Sequence, residues 1–291
     1  MPIRASDASW RDHWRITVMC HSQLRNMLFH NPMLRTATLL ALALAATAVA
    51  TAPAAAAEWG TIRGKFVYKG EPKNEPVNVT KDVEYCGPKK PTMETVVVGE
   101  GGGLQNVFVY LYVARGKKVA VHPDYKPGDP KVLTNLGCRF APHAMAVWTA
   151  EEFEVHNDDE GVGHNTNFNL AVNQDFNLTV SSEAPIKRKF DKSEPVPAGV
   201  SCNIHPWMTA MVLVRDNPYA AVTGEDGSFE IKNVPAGDQE LVLFHEANGY
   251  LRGLKVGTAK ADRKGQIKVK VPPAGELDLG VIEVTPIMLG Q

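Results

Sequence analysis

Along most of the chain, apolar and polar positions alternate in the manner of short β-strands. Residues 105–113, QNVFVYLYV, are β-branched and aromatic almost throughout, which is typical of a buried strand. Residues 264–271, KGQIKVKV, alternate Ile and Val with lysines, and residues 227–234, GSFEIKNV, do the same after a Glu-Asp-Gly turn signal. Helical periodicity is scarce, and the intervening segments are rich in Gly, Pro, Asn and Asp. The sequence therefore predicts an all-β fold built as a sandwich or barrel.

Two segments break this pattern and indicate domain boundaries. Residues 117–130, KKVAVHPDYKPGDP, resemble a linker, and Asp-Asn-Pro at 216–218 is a turn signal. They delimit residues 116–217 as one domain, with residues 58–115 before it and residues 218–286 after it.

The first 57 residues have the organisation of a secretory signal peptide. Arg35 precedes an apolar run over residues 37–50, and small residues follow up to a predicted cleavage site after Ala57. The apolar run is shorter than the roughly 20 residues of a membrane span, although an N-terminal anchor that is never cleaved is the alternative. We therefore expect a periplasmic or secreted mature chain that begins at Glu58.

The charge of the chain excludes some classes of partner, and its cysteine content indicates a disulfide. Residues 1–57 contain five Arg and two Asp, so the remainder carries 26 basic and 30 acidic residues, a net charge of −4. No basic block is interleaved with aromatic residues, which argues against nucleic acid or an anionic membrane surface as a partner.

Loss of Cys20 with the leader leaves Cys86, Cys138 and Cys202. An odd number of cysteines in an exported protein suggests one disulfide and one thiol with a separate role. If Cys202 is that thiol, Cys86 pairs with Cys138.

The stretch CNIHPWM, residues 202–208, contains three metal ligands at the spacing C-x2-H-x2-M. A trigonal copper site needs two imidazoles, a thiolate and a weak axial thioether, and Cys202, His205 and Met208 supply all but one imidazole. The alternative is a buried thiol, a surface imidazole and a core thioether that share a loop by chance. The missing imidazole has to come from another segment, and its candidates are His122, His143, His156, His164 and His245.

Further motifs of the middle domain stand in a defined order. Phe-Ala-Pro at 140–142 precedes the strand-rich residues 144–158, and Gly-His-Asn at 163–165 comes before CNIHPWM. Residues 130–215 thereby resemble the cupredoxins, the Greek-key β-sandwich proteins that bind blue type 1 copper, with an amicyanin-like ligand loop. The resemblance implies that His164, Cys202 and His205 are equatorial copper ligands and that Met208 is axial.

The same resemblance implies a function and a contact surface. A mononuclear copper ion would carry single electrons to and from a redox partner protein, and no substrate bond would be made or broken. The histidine of the cysteine loop, His205, is expected at the surface, with Trp207 in an apolar rim that receives the partner. The alternative is that Trp207 packs into the core.

The C-terminal part resembles a second family. In residues 223–251, DGSFEI and the Pro-Ala-Gly turn at 235–237 resemble the carboxypeptidase regulatory-like module, a small transthyretin-like β-sandwich. This resemblance implies an accessory or binding module. Residues 58–115 either complete that module, with the copper domain inserted into it, or form an N-terminal extension of the copper domain.

Motifs of common catalysts are missing from the sequence. There is no HExxH, GxSxG or His-x-His, and the acidic run at 158–160 is interpreted as a solvated loop face. The sequence thus predicts an exported blue copper protein that transfers electrons, and not an enzyme. The alternatives are a copper carrier or storage protein, and a carbohydrate- or surface-binding protein whose copper site is structural or empty.

Overall fold

The structure, a computed structural model, describes residues 58–71 and 75–291. The predicted signal peptide, residues 1–57, lies outside the described residues. In the described part, no helix has the length and apolar character needed to cross a membrane.

The described chain is all-β, as the sequence predicts. Its helical elements are one short helix, α1 (Val83–Cys86), and three 3₁₀ turns at Gly87–Lys89, Glu100–Gly102 and Pro286–Leu289. The strands, in chain order, are β1 (Trp59–Tyr68), β2 (Phe108–Leu111), β3 (Lys131–Asn135), β4 (Phe140–Ala141), β5 (Ala144–Trp148), β6 (Phe153–Asn157), β7 (His164–Phe168), β8 (Phe176–Val180), β9 (Ile186–Arg188), β10 (Ala198–Ser201), β11 (Thr209–Arg215), β12 (Ala220–Val222), β13 (Ser228–Pro235), β14 (Gly237–His245), β15 (Gly249–Tyr250), β16 (Lys255–Val256), β17 (Ala259–Lys260), β18 (Gln266–Val271) and β19 (Glu276–Val284).

The middle of the chain forms a β-sandwich of two sheets. One sheet has the strand order β5-β11-β10-β7-β8 and the other has the order β4-β3-β6-β9. Each contains one parallel pair between strands that are distant in sequence, β5 with β11 and β3 with β6. The inward faces pack Phe140, Phe153, Phe168 and Phe190 into one core, which also contains Cys202 and Met208.

The segments on both sides of that sandwich pair with each other. In a three-stranded sheet, β1 lies between β13, to which it is antiparallel, and β19, to which it is parallel. In the facing sheet, β2 lies between β12 and β14, and β18 pairs with β14. These two sheets form the second sandwich, and the sandwich in the middle of the chain is the first. An apolar core with Phe66, Leu104 and Leu243 among its buried members fills the second sandwich.

The three strands that the sequence predicts at 105–113, 227–234 and 264–271 are confirmed as β2, β13 and β18. All four residues of β2 are buried, whereas β13 alternates buried and exposed positions. The turn signal before β13 also holds, because Gly227 has a φ of 80°. A Cβ at that position would lie 2.1 Å from the carbonyl oxygen of Phe66, so only glycine fits there.

His143 lies between two carboxylates where the two sandwiches meet. Its Nε2 hydrogen-bonds the carboxylate of Glu246, directly after β14, and its Nδ1 lies 3.7 Å from the carboxylate of Glu94. Burial alone would lower the pKa of His143, but the two carboxylates outweigh burial and the pKa is raised. The other charged or titratable groups nearby are Arg139, which approaches Glu94 at 3.3 Å, and His245, which precedes Glu246.

We expect the stability contributed by His143 to decrease as the pH rises. A group with a raised folded-state pKa stabilises the fold fully below its unfolded pKa, about 6.5 for histidine, and this contribution is lost as the pH rises through the folded-state pKa. The unfolding free energy of His143→Gln should be lower than that of the wild type by about 1–3 kcal/mol near pH 6, and the difference should shrink towards alkaline pH. Chemical denaturation measures it.

His156→Gln is the matched control, because the His156 ring is 35% exposed and bonds Glu154 within its own sandwich. A difference for His143→Gln that does not change with pH would show that the charge on His143 contributes nothing.

Candidate metal centre

The loop that joins β10 to β11 carries a thiol and an imidazole on its inner side. The backbone N–H of Cys202 donates to the carbonyl oxygen of Met208 at 3.1 Å, and the N–H of Met208 donates to the carbonyl oxygen of His205 at 2.9 Å. The N–H of His205 donates to Sγ of Cys202 at 3.4 Å. These bonds close the loop into a tight turn. The side chains of Cys202, His205 and Met208 are all buried, and Met208 belongs to the same apolar core as Cys202.

Strand pairing brings a second imidazole to this loop. His164 is the first residue of β7, and β7 is antiparallel to β10, so that Asn167 lies opposite Ser201. Nδ1 of His164 is 4.0 Å from Sγ of Cys202, and Nδ1 of His205 is 3.8 Å from the same sulfur. The three donor atoms lie within 4.8 Å of one another, and within the described ranges this is the one cluster of three His, Cys, Asp or Glu donors.

Each histidine is oriented by a carboxylate on its far side. Nε2 of His164 is 3.0 Å from Oδ2 of Asp159, and Nε2 of His205 is 2.7 Å from Oδ2 of Asp82. An ionised carboxylate only accepts hydrogen bonds, so Nε2 carries a proton in both rings. Nδ1 of each ring therefore points at the sulfur of Cys202, an arrangement that is common among metal-binding histidines.

Asp159 corrects the interpretation of the acidic run as a solvated loop face. Its carboxylate is almost fully buried and accepts hydrogen bonds from the N–H groups of Gly137 and Cys138 and from the hydroxyl of Tyr85. Burial raises its pKa, but the hydrogen bonds from His164 and from these groups outweigh burial and lower it to about 2. The carboxylate beside His164 is therefore ionised at any ordinary pH.

The thiol of Cys202 is strongly acidified. Burial raises its pKa, but hydrogen bonds that involve His164, Asn165 and His205 outweigh burial and lower the pKa to about 6. The pKa of His164 is raised to about 9, because Asp159 and Cys202 stabilise its charged form against the effect of burial. At neutral pH these pKa values favour a thiolate and an imidazolium, so a metal ion that bound both residues would displace a proton from nitrogen.

Asn165 connects the two segments that carry the ligands. Its side-chain oxygen accepts hydrogen bonds from the backbone N–H of Asn203 at 2.8 Å and from that of Ile204 at 3.3 Å. It also lies 3.5 Å from Sγ of Cys202. The residue after His164 thus fixes the position of the cysteine loop.

His205 is completely buried, which contradicts the expectation that this histidine lies at the surface. Residues 82–90, here called the cap, comprise α1 and the 3₁₀ turn after it, and their first residue hydrogen-bonds the His205 ring. Asp82 binds the His205 ring, and Cys86 is joined to Cys138 by the predicted disulfide. The cap therefore occupies the position at which the resemblance implied a surface for a partner.

Trp207 matches neither a fully exposed rim nor a fully buried core residue. Its indole N–H donates to the carbonyl oxygen of Cys138 at 3.1 Å, and its ring meets the His205 ring edge to face with centroids 5.1 Å apart. The side chain is partly buried against the core of the first sandwich. Trp207 thus fastens the cysteine loop to the segment that holds the disulfide.

The four other candidate histidines lie away from this cluster. His143 binds Glu246 as described above, and Nε2 of His156 is 2.8 Å from a carboxylate oxygen of Glu154. Nδ1 of His122 accepts from the backbone N–H of Asp124, and Nδ1 of His245 accepts from that of Ala247. Their contacts are those of structural histidines.

The sequence matches no protein-family model and no curated protein. Parts of the chain are similar to solved structures. A Cu-containing nitrite reductase from Thermus scotoductus SA-01 is 18% identical, with a TM-score of 0.28, over 34% of this chain and 25% of that chain. A purple cupredoxin from Nitrosopumilus maritimus is 19% identical (TM-score 0.24; 29% of this chain, 98% of that one). A point mutant of amicyanin, in its reduced Cu(I) form, is 20% identical (TM-score 0.26; 32% and 87%). The chain thus spans a quarter of the nitrite reductase, and each similarity covers about a third of this chain.

Proposed function

We propose that the protein binds one copper ion through His164, Cys202 and His205, with Met208 as a weak axial ligand, and that it transfers single electrons. The observation that carries this proposal is the buried cluster of two Nδ1 atoms and one acidified sulfur within 4.8 Å. Two imidazoles and a thiolate suit copper better than magnesium or calcium, which prefer oxygen ligands, and a thioether is the weak axial ligand that such a site takes.

The residues present fit such an ion. Two donor atoms about 2.0–2.3 Å from one metal and about 120° apart would lie about 3.7 Å from each other. The two separations between Nδ1 and Sγ, 4.0 and 3.8 Å, are close to this value. A bound copper ion would supply a couple between Cu(I) and Cu(II). The protein's part is to hold its three donors in one geometry for both oxidation states, through the two carboxylates, Asn165 and the closed cysteine loop.

The proposal includes an exported protein that exchanges electrons with a partner protein. A disulfide between Cys86 and Cys138 supports an oxidising compartment such as the periplasm or the exterior. We assign the copper domain to residues 116–217. Residues 58–115 and 218–286, whose strands pair with each other, are proposed as an accessory module of the carboxypeptidase regulatory-like type.

The test is a copper titration of the chain from Glu58 onward, followed by absorption spectroscopy and a redox titration. We expect one Cu(II) per chain, an intense blue colour from charge transfer between thiolate and copper, and a reversible one-electron transition. A copper carrier would bind the ion but pass it to a copper-free acceptor, without reversible redox cycling. A protein that gains no such absorption band would contradict the proposal.

Met208→Gln is expected to retain copper and to shift the midpoint potential. A long axial bond contributes little to affinity but tunes the relative stability of the two oxidation states. Spectroelectrochemistry and metal analysis measure both quantities. Met211→Leu is the control, since Met211 lies in β11, outside the loop. Complete loss of copper from Met208→Gln would contradict an axial role.

A further inference from the structure

A cleft of about 920 Å³ opens between the second sandwich and the first, on the face formed by β2, β14, β15 and β18. It is lined by Tyr110 and Tyr250 from the second sandwich and by Glu194 and Arg215 from the first. Small-molecule sites in proteins have volumes of about 300–1,000 Å³ and occur preferentially where structural units meet. The size and location of this cleft therefore suit a small ligand.

Two buried polar groups that line the cleft lack partners. Arg215 is 7% exposed and Tyr110 is 2% exposed. Within the described residues, neither Nε of Arg215 nor the hydroxyl of Tyr110 has a hydrogen-bond partner. The guanidinium donates one bond, from Nη1 to the carbonyl oxygen of Glu194 at 3.1 Å, and stacks over the Tyr110 ring at 5.1 Å. Burying a charge that no salt bridge compensates is costly, and an anion next to Arg215 would offset that cost.

The neighbouring charges also favour an anion. Four exposed cationic side chains line the cleft: Arg115, Lys117, Lys192 and Lys264. In the described part of the chain, neither these four residues nor Arg215 forms a salt bridge. The acidic residues there are Glu194 and Asp216. The Glu194 carboxylate is already bound by the backbone N–H groups of residues 171–173. The balance around the opening is therefore positive.

We propose that this cleft binds a small organic anion whose carboxylate or phosphate group is held by Arg215 and by the hydroxyl of Tyr110. Arginine presents parallel N–H donors that match an oxyanion, and the Tyr110 hydroxyl, which is buried and has no partner among the described residues, would donate to it. The exposed ring of Tyr112 at the opening provides an apolar face for the ligand's carbon skeleton. The cleft is independent of the copper centre, because β11 separates Arg215 from the cysteine loop by seven residues, about 20 Å at strand spacing.

Calorimetric titration of the full chain with sugar acids, sugar phosphates and neutral sugars tests the proposal. Galacturonate and glucose 6-phosphate present the two kinds of oxyanion, and galactose and glucose are their neutral counterparts. We expect saturable one-site binding of at least one anion, and the stronger of the two identifies the group that is recognised. Neutral sugars that bind as well as the anions, or the absence of anion binding up to about 10 mM, would overturn the proposal.

Tyr110→Phe locates the binding with little risk to the fold, because it removes a hydroxyl that has no partner among the described residues. We expect about tenfold weaker anion binding and an unchanged unfolding midpoint. Tyr125→Phe is the matched control, because its hydroxyl donates to the carbonyl oxygen of Lys232, outside the cleft. Lys264→Gln should weaken binding mainly at low salt, since exposed charges are screened. Unchanged binding in both Tyr110→Phe and Lys264→Gln would exclude this cleft. These measurements involve no copper, so their outcome is independent of the copper proposal.

Discussion

Cys202→Ser is expected to abolish the blue colour and to weaken copper binding by more than about 100-fold. This is a larger effect than the loss of a residue that only hydrogen-bonds to a ligand. The sulfur is the one anionic donor of the cluster, and its pKa of about 6 makes it a thiolate at neutral pH. A serine hydroxyl has nearly the same shape but does not ionise there. Since the imidazoles of His164 and His205 keep their carboxylate partners, the variant removes the charge-transfer donor and leaves the rest of the centre in place.

Absorption spectroscopy and copper quantification after dialysis measure the two effects. Ser201→Ala, at the last position of β10, is the control and should remain blue. The serine variant should unfold within about 1–3 kcal/mol of the wild type, the cost of one buried hydroxyl with imperfect partners. A Cys202→Ser protein that stays blue would show that the sulfur of Cys202 is not a ligand.

The parts of the centre that are local in sequence were predictable. Cys202, His205 and Met208 lie in one short loop, and this loop indicates a metal only together with the Gly-His-Asn motif that precedes it in the chain. His164 is 38 residues away, but it was found because a strand and a Gly-His-Asn motif lead to it. The same holds for β2, β13 and β18, whose side-chain pattern is set by burial of one or both faces.

The parts that depend on distant contacts were not predictable. Asp82 reaches His205 across 123 residues, and no pattern in the segment around it indicates a partner. The acidic run at 158–160 predicts a solvated position for Asp159, because acidic runs in loops usually face water. Only the folded chain shows that Asp159 turns inward to N–H groups of Gly137 and Cys138. A periodicity describes strands and says little about a loop whose conformation is fixed by tertiary hydrogen bonds.

The expected exposure of His205 failed for a related reason. The resemblance on which it rested covers residues 130–215, and the cap, which contacts His205 through Asp82, comes from residues 82–90. The cysteine count predicts the bond between Cys86 and Cys138, but it does not indicate that this bond anchors the cap beside the centre. The disulfide was therefore predictable as a bond, and its consequence for the centre was not.

Removing that disulfide is expected to have the largest effect on stability and on access to the centre. Cys86 and Cys138 are 52 residues apart, and in the chain-entropy model a cross-link of this length stabilises the fold by about 4 kcal/mol. The double variant Cys86→Ala/Cys138→Ala should therefore show a free energy of unfolding lower by about this amount. Denaturant titration of the exported protein measures it.

The same double variant should release copper faster, because the cap is then held mainly by the single contacts of Asp82 to His205 and of Tyr85 to Asp159. We expect a strong chelator to remove copper about tenfold faster, at a temperature at which both proteins are fully folded, since each loss of about 1.4 kcal/mol in cap closure raises the open population tenfold. Asp82→Asn keeps the disulfide and weakens only the contact to His205, so it should lie between the wild type and the double variant. If the double variant is destabilised but loses copper at the rate of the wild type, the disulfide does not control access to the ion.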